Sequence, residues 1–597
     1  MITKMTKYTF LLMTSDTEAF LREIQELGVL DVTRSRKPVD ADSGKLYREA
    51  EALRKEIEII ERCDYSRDEE HRSLTAKLDA AEAAHAEKLH WGNMDVDKYN
   101  ALREAGCHLH FHTLPVKKFN PAWPEEYAIA EIERDDKNVR FVHVVRGTEG
   151  ANSFQVPETL VALESIDELA QNVANLKTAV ERREEDMQAR KEELPNLKRY
   201  HAEKAQELQR YLAQKGSLQA AEDYITVLTG FAPTEEDERL QAELDKKAIF
   251  FICEPATAAD NPPIQLKNNW FARNFETLTG MYGMPVYDEF DPTPILAPFF
   301  LLFWSFCMGD AGYGLLLIAL GLLLRYKENF DILGLKKNWR LVTTLGVGTF
   351  FIGILLGMFF GIDLSKVSWI PEGIRNLMLV GKIEIGGSKY DVAMVAAIAI
   401  GIFHICLALI IKAVGITKRA GFKEAISTWG WVILIVGGLI VGGLALTKVL
   451  DAQATKIAII VIGVLSVLGI FIFNKPGRNP LKNIGAGLWD TYQMATGLLG
   501  DVLSYIRLYA LGLAGGMLGA AFNNLGMMVL GDNPTWQWPF FLLIVLIGHA
   551  LNFAMSCLGA FVHPLRLTFV EYFKNSGYEG KGADYRPLTN EITIENK

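Results

Sequence analysis

Between Pro294 and Phe573 the chain carries seven apolar blocks, at 294–325, 341–361, 391–414, 428–447, 456–474, about 491–530 and about 538–573. These blocks decide what the chain can become. Crossing ~30 Å of hydrocarbon takes ~20 apolar residues in a helix, because inside lipid each main-chain N–H and C=O must find its partner within the protein. The second half of the 597 residues therefore reads as a multi-span membrane domain. The chain averages, 49% hydrophobic and 22% charged with net charge −10, hide this because charge crowds the first half. The balance is acidic and no long basic run occurs, which argues against nucleic acid as a partner. Cys63, Cys107, Cys253, Cys307, Cys406 and Cys557 lack paired spacing, so neither a disulfide framework nor a zinc ribbon is expected. The apolar stretch Tyr8–Met13 is too short for a signal peptide and meets Ser15 and Asp16 at once, so the first half is expected in the cytoplasm.

That half reads as a helical hairpin with a lobe at each end. Lys7–Met13 and Val29–Val32 suit strands around a helix at Thr17–Leu27. From Leu46 to Leu89 the pattern is helical, rich in Ala, Glu, Lys and Leu, and ~65 Å long at 1.5 Å per residue. Strand-like runs follow at His108–Leu114, Tyr127–Glu133 and Val139–Val145. A second long helical stretch covers Ile166–Lys215, interrupted only by Pro195. Strand, helix and strand recur at Tyr224–Phe231, Glu235–Leu244 and Ala248–Cys253. Two amphipathic helices of this length bury their apolar stripes most simply against each other, as an antiparallel coiled coil. Surface helices on a large globule are the other reading. The expected domains are a cytoplasmic arm at 1–290, a transmembrane domain at 291–575 and a cytoplasmic tail at 576–597. Within the arm, a proximal lobe combines 1–43 with 217–255, helices cover 44–92 and 159–216, a distal lobe covers 93–158, and a linker covers 256–290.

Loop charges assign sides. The loop Arg325–Arg340 holds Arg325, Lys327, Lys336, Lys337 and Arg340, and the loops Lys412–Lys423 and Lys475–Lys482 are also basic. Loops 448–455 and 531–537 contain one basic residue, Lys448, and the longer 362–390 loop has four basic residues accompanied by acidic ones. Basic loops face the cytoplasm. A single crossing by 294–325 would then export the arm. The run Gly309-Asp310-Ala311-Gly312-Tyr313-Gly314 lies mid-block, and a turn there restores a consistent count of eight passes with both termini cytoplasmic. Two such short passes need protein rather than lipid around the turn.

Charge deep inside apolar blocks carries the functional information. Arg507 lies within Leu503–Leu511, costs at least ~2.5–3.5 kcal/mol at a bilayer centre, and cannot escape by deprotonation. Asp490, Gln493, Gly497, Asp501, Ser504 and Arg507 share an arc of ~120° on a helix. A permanent cation there demands an anionic partner; a salt bridge to Asp501 or a snorkelling arginine is the structural reading. Gly512, Ala514, Gly515, Gly516, Gly519, Ala520 and Ala521 permit close helix approach, as static packing or as a smooth face past which a neighbour slides. In the last block His549, Asn552, Ser556, Gly559, His563 and Arg566 share ~100° of arc. They read as the wall of a wet path, with a polar seam between helices as the other reading.

Weaker features carry less. Gly381–Lys389 lacks the ending and setting of a phosphate loop, so no nucleotide site is expected. His108, His110 and His112 alternate beside Cys107, more in keeping with an exposed strand face than with a metal site. His404 reads as a hydrogen-bonded interior residue. Neither metal nor cofactor is expected.

Taken as a set, Asp291-Pro292-Thr293-Pro294 leading into Phe299–Gly314, then Gly353–Gly361, Gly401–His404, Ser504–Leu511 and Phe561–Phe573, resemble the membrane stator subunit, a or I, of V-type and archaeal-type rotary ATPases. Pro262–Asn269 and Phe275-Glu276 resemble that family's linker. The likeness covers essentially the whole chain. It implies a mainly α fold, with a cytoplasmic antiparallel coiled-coil hairpin, two small α/β lobes and an eight-pass membrane domain ending in two long tilted helices. It implies Arg507 as the main stator arginine and Arg566 as a second, facing the carboxylates of a proteolipid c/K ring. Two offset half-channels would be lined among Asp310, Gln493, Asp501, Ser504, His549, Asn552, Ser556, His563 and Glu571. The implied partners are peripheral-stalk E/G-type subunits, a central-stalk C/d-type subunit and the lipid bilayer, with a prokaryotic plasma membrane as location. The departures lie in the channel: Ser556 where eukaryotic relatives have glutamate, Gly515 for histidine and Gln493 for a carboxylate. They leave the choice between H⁺ and Na⁺ open. A stand-alone secondary transporter is the alternative, and it leaves the long hairpin without a role and predicts an internal repeat that the membrane half lacks.

Overall fold

The computed structural model describes residues 1–597 except 36, 63–67, 148–155, 221–223, 248, 328–334, 369, 386, 448, 475–479, 531–535 and 590–597. Cys63, Lys327's loop beyond residue 327, Lys448, Lys475 and the end of the tail thus lie outside the described residues. The chain is mainly helical and divides into two units, one of 13–28, 33–226 and 588–597, the other of 1–12, 29–32 and 227–587.

In the first unit, the helix expected at 44–92 is described as two, Ala41–Arg62 and Glu69–Trp91. The second starts at Asp68, whose carboxylate accepts from the His71 N–H at 3.1 Å as an N-cap. The helix expected at 159–216 comprises Ile166–Ala189, a 3₁₀ turn at Arg190–Glu193, and Leu194–Lys215. Pro195 stands in the first turn of the last helix, where its missing N–H has no intrahelical partner to lose. Ala41–Arg62 packs along Leu194–Lys215, and Glu69–Trp91 along Ile166–Ala189. Cross-helix ion pairs join Glu49 to Lys204, Glu61 to Lys198, Asp68 to Arg183 and Glu82 to Lys177. One number rises as the other falls, so the helices run antiparallel. Ala50, Ile57, Ile60, Leu169, Met187 and Leu212 are buried, while exposed ion pairs contribute at most ~1 kcal/mol each.

Asp68 does two things at once, capping one helix and accepting from Arg183 Nε and Nη2 at 2.9 and 3.2 Å. Hydrogen bonds from Arg183 are the main reason its carboxyl stays below the usual range, against the opposing effect of burial. Its stabilising contribution is therefore complete above the unfolded value of about 3.9 and is lost as pH falls through the lowered folded value. Asp68→Ala should cost about 1–2 kcal/mol at neutral pH, and Asp68→Asn, which keeps a cap, about half that. Hydrogen exchange over Glu69–Trp91 measures this, and unchanged protection in Asp68→Ala would contradict it.

The strands Cys107–Pro115, Asn138–Arg146 and Ile129–Arg134 form an antiparallel sheet in that order. Its histidine face is not the open one expected. His112 is fully buried, because 157–159 crosses it: the Pro157 carbonyl lies 3.1 Å from His112 Nδ1, and the Thr159 N–H donates to the Phe111 carbonyl.

In the second unit, strands Asp31–Val32, Ile225–Pro233, Met5–Met13 and Phe251–Pro255 lie side by side in that order. Asp237, on the helix Asp237–Lys246, accepts from Tyr8 Oη at 2.8 Å and Thr6 Oγ1 at 2.5 Å. Among the described residues, six helices are long and apolar enough to cross a membrane: Leu335–Leu355, Val392–Ala420, Phe422–Ala445, Ala452–Ile472, Lys482–Leu530 and Trp538–Ser576. The block at 294–325 breaks as expected into Thr293–Met308 and Ala311–Tyr326. Gly309 ends the first in the left-handed region (φ 61°), and Asp310 caps the second. The block at 341–361 is helical only to Leu355. Beyond it Gly357, Phe360 and Gly361 all have positive φ, and a tight hairpin pairs Met358–Phe359 with Ile362–Asp363. Strands Lys382–Ile385 and Ser388–Asp391 pair antiparallel.

Candidate functional site

The two longest membrane helices build the site. Pro480–Leu530 runs 51 residues, ~77 Å at 1.5 Å per residue. Trp538–Arg566 continues through a π-helical turn at Leu567–Tyr572, just after Pro564, which interrupts the normal hydrogen-bond ladder. The turn directs Leu567, Thr568, Glu571 and Tyr572 all inward.

Arg507 is partly enclosed, and its Nη1 is buried without a hydrogen-bond partner. Among the described residues it forms no ion pair. Asp501, which the structural reading of the sequence paired with it, instead accepts from Asn575 Nδ2 at 2.7 Å. The same Asn575 amide also donates to the Glu571 carbonyl at 2.7 Å, closing a loop between the two helices. Glu571 is 2% exposed, and its Oε2 has no hydrogen-bond partner. Ser504 faces that carboxylate while its hydroxyl donates to the Gly500 carbonyl. Arg566 is close enough to act electrostatically on Glu571, and both arginines act on His563, whose Nδ1 is buried and unpartnered. Arg507, Ser504, His563, Arg566, Glu571 and Asp501 thus form one cluster. Gln493 is exposed on the long helix two turns before Asp501 and stands outside it.

The other expected residues belong to a second, closed network. Asp310 is 1% exposed and accepts four main-chain N–H groups: Gly312 at 2.8 Å, Tyr313 at 3.4 Å, Phe360 at 2.7 Å and Gly361 at 2.7 Å. The positive φ of Phe360 and Gly361 aims those two donors at one carboxylate. Asn552 Nδ2 donates to Tyr313 Oη at 2.8 Å and to the Gly515 carbonyl at 2.8 Å. Tyr313 Oη then donates to His549 Nδ1 at 2.9 Å, His549 Nε2 to Asn523 Oδ1 at 3.0 Å, and Asn523 Nδ2 to the Phe360 carbonyl at 2.7 Å. That direction of donation makes His549 the neutral Nε2–H tautomer. Ser556 joins at 3.4 Å from Asn552 Oδ1. His549, Asn552 and Ser556 therefore form a hydrogen-bonded seam here, the second of the two readings of that face.

The glycines beyond Arg507 also turn inward rather than outward. A Cβ on Gly512 would sit 2.4 Å from the Phe306 carbonyl oxygen, and one on Gly516 2.3 Å from Met358. A Cβ on Gly361 would sit 2.4 Å from the Gly519 carbonyl carbon. They seat the 309 and 357–361 turns directly on the long helix. Its exposed stripe is Leu503, Ala510, Leu513, Ala514, Met517 and Ala521, beside Arg507. On the last helix Leu551, Met555, Leu558 and Val562 are exposed and lead to exposed Arg566.

Sequence reasoning missed Asn575, Tyr313 and Asn523. Asn523 was legible as an amide inside an apolar block, whereas Asn575 and Tyr313 become visible only through their partners. His404 is buried as expected, with Nδ1 3.0 Å from Tyr505 Oη and its ring stacked on Tyr572 at 4.5 Å.

Six membrane-length helices define an integral membrane protein. The model of the V-type ATPase 116kDa subunit family matches residues 132–362. The A-type ATP synthase subunit I of Methanocaldococcus jannaschii is 32% identical over 386 residues, 60% of this chain and 54% of that one. That of Pyrococcus abyssi is 32% identical over 351 residues, 56% of this chain and 50% of its own. The V-type ATP synthase subunit I of Borreliella burgdorferi is 24% identical over 513 residues, covering 83% of this chain and 81% of that one. The chain spans about half the length of the two archaeal relatives. The chain is thus similar to the V-type ATPase 116kDa subunit family and to these A-type and V-type ATP synthase subunits I.

Proposed function

We propose that the chain is the membrane stator subunit of a rotary ATPase or ATP synthase, coupling H⁺ or Na⁺ passage to rotation of a proteolipid ring. The observation that carries this is Arg507, a permanent cation in the middle of the longest apolar helix, with a buried N–H unsatisfied and, among the described residues, no carboxylate paired to it. A ring carboxylate arriving from another subunit supplies what is missing. Opposite Arg507 that carboxylate stays ionised after losing its ion, because a neighbouring fixed cation favours its charged form. The same cation repels an ion moving directly between the two half-channels, so passage requires rotation. Arg566 raises the local positive potential from the adjacent helix. Ser504, Glu571, Asp501 and His563 form the wall of one half-channel, and Gln493 lies at its exposed end. Asp310, His549, Asn552 and Ser556 hold the backbone of the opposite half-channel in place.

The paired helices of 41–215 act as a coiled-coil arm that carries peripheral-stalk E/G-type subunits, while the proximal lobe touches a central-stalk C/d-type subunit. Eight passes, with the two half-length helices turning at Gly309, leave both ends in the cytoplasm of a prokaryotic cell. The 51-residue helix exceeds a ~30 Å hydrocarbon layer and lies steeply tilted.

Purification tests the assignment: the chain should bring down ATPase and proteolipid subunits, whereas activity of the chain alone would contradict it. Cysteine labelling tests the topology. A cysteine at exposed Ser388 should react only from outside, and cysteines at Lys337 and Lys581 only from inside. Ala311 is fully buried and would be a blind position. Labelling of Ser388 and Lys337 from the same side would contradict eight passes.

A further inference from the structure

One cavity of about 560 Å³ lies away from both networks, lined by Arg273, Asn274, Glu276, Thr277, Lys337–Leu341. Its lining holds three cations, Arg273, Lys337 and Arg340, all exposed. None of the three forms an ion pair or a side-chain hydrogen bond among the described residues. The one carboxylate in the lining, Glu276, already accepts from Asn268 Nδ2 at 3.0 Å. Three cations share the lining with this single carboxylate, and the excess positive charge is offset when an anion lies among them.

The surroundings define the kind of anion. Trp339 opens the helix Trp339–Leu355, which is part of a membrane-length span. Tryptophan at the end of a span sits at headgroup depth. The Arg340 guanidinium lies 5.4 Å from the Trp339 ring centre, and that of Arg325 lies 4.9 Å from it. This places further positive charge beside the aromatic ring. Basic pockets at the cytoplasmic end of membrane helices suit phosphate headgroups.

We propose that this cavity binds the phosphate-bearing headgroup of an anionic membrane lipid, with Arg273, Lys337 and Arg340 on the phosphate and Trp339 at the glycerol level. The site is independent of ion passage and does not touch the Arg507 cluster. A lipid held there ties the segment before the first membrane helix to the start of the Trp339–Leu355 helix.

The test uses the assembled membrane complex in nanodiscs, with photoactivatable phosphatidylglycerol or phosphatidylcholine as probe and the peptide containing Trp339 as readout. Phosphatidylglycerol should label that peptide at least about tenfold more than phosphatidylcholine. The combined variant Arg273→Gln, Lys337→Gln, Arg340→Gln should lose about tenfold of that labelling, and excess inorganic phosphate should leave it in place. Raising salt should weaken it in the wild type. Should the combined variant fail to assemble, Lys337→Gln alone, at an exposed position, should lose about threefold. Equal labelling by the two lipids, or unchanged labelling in an assembled variant, would overturn the proposal. Complete competition by inorganic phosphate would overturn the lipid assignment in favour of a soluble anion.

Discussion

Arg507→Ala should abolish ion transport and the ATP hydrolysis coupled to it while the complex still assembles. The expected loss is at least a hundredfold, on the order of 2.7 kcal/mol in the barrier, in line with removal of a single preorganised charge-stabilising group. Assembly should survive because Arg507 makes no ion pair among the described residues whose loss would strand a buried partner. Its helix is held instead by Asp501 with Asn575, by Tyr505 with His404 and by the glycine contacts. Arg507→Lys should fail or nearly fail as well. An ammonium keeps the charge but lacks the planar fork of donors, and it gives up its proton more readily when desolvated. Arg566→Ala should be milder, since Arg566 is exposed and shapes the potential without standing between the two helices. Transport by reconstituted vesicles, normalised to subunit content, measures all three. Near wild-type transport by assembled Arg507→Ala complexes would contradict the role given to this residue.

Asp310→Ala should instead destroy the membrane unit. The substitution leaves four main-chain N–H groups without an acceptor, three of them on buried residues, and each buried unsatisfied donor costs ~1–3 kcal/mol. Several kcal/mol is comparable to the whole stability of an ordinary domain, ~5–15 kcal/mol. The yield of folded protein should collapse, and transport with it. Asp310→Asn should be intermediate, because its oxygen still accepts while its NH₂ confronts a donor. The contrast is with His549→Ala, which removes one link of a side-chain chain and leaves the turn intact. Measured by thermal unfolding in detergent, Asp310→Ala should lie far below His549→Ala. If Asp310→Asn folded normally and only shifted the pH dependence of transport, Asp310 would be a titrating channel group and not a structural one.

Much of this molecule was legible before any coordinates. Thr17–Leu27 follows directly from apolar spacing, the stretch expected as Ile166–Lys215 is helical with a 3₁₀ turn at Arg190–Glu193, and the break in the 294–325 block follows from its Gly309-Asp310 pair. Arg507 stood out because a fixed charge in an apolar run has few explanations. What the sequence hid depends on partners distant along the chain. The resemblance gave Asp310 as a channel residue, and the Phe360 and Gly361 amides that its carboxylate accepts lie some 50 residues away. The face of His549, Asn552 and Ser556 looked wet because periodicity reports which residues share a side, not what covers it. Likewise, Gly512, Gly516 and Gly519 marked a close approach correctly, but only the turns at 309 and 357–361 show that the approach is internal.

The most direct test of the stator assignment is the neighbour of the exposed stripe beside Arg507. A photo-crosslinking amino acid placed at Ala510, Ala514 or Ala521 should capture a proteolipid subunit in the assembled complex, with efficiency that follows this stripe. The same group at Met528, exposed near the far end of the helix, should capture it less. Adducts with lipid alone from Ala510, Ala514 and Ala521, in complexes that contain the ring, would contradict the claim that this helix faces the rotor.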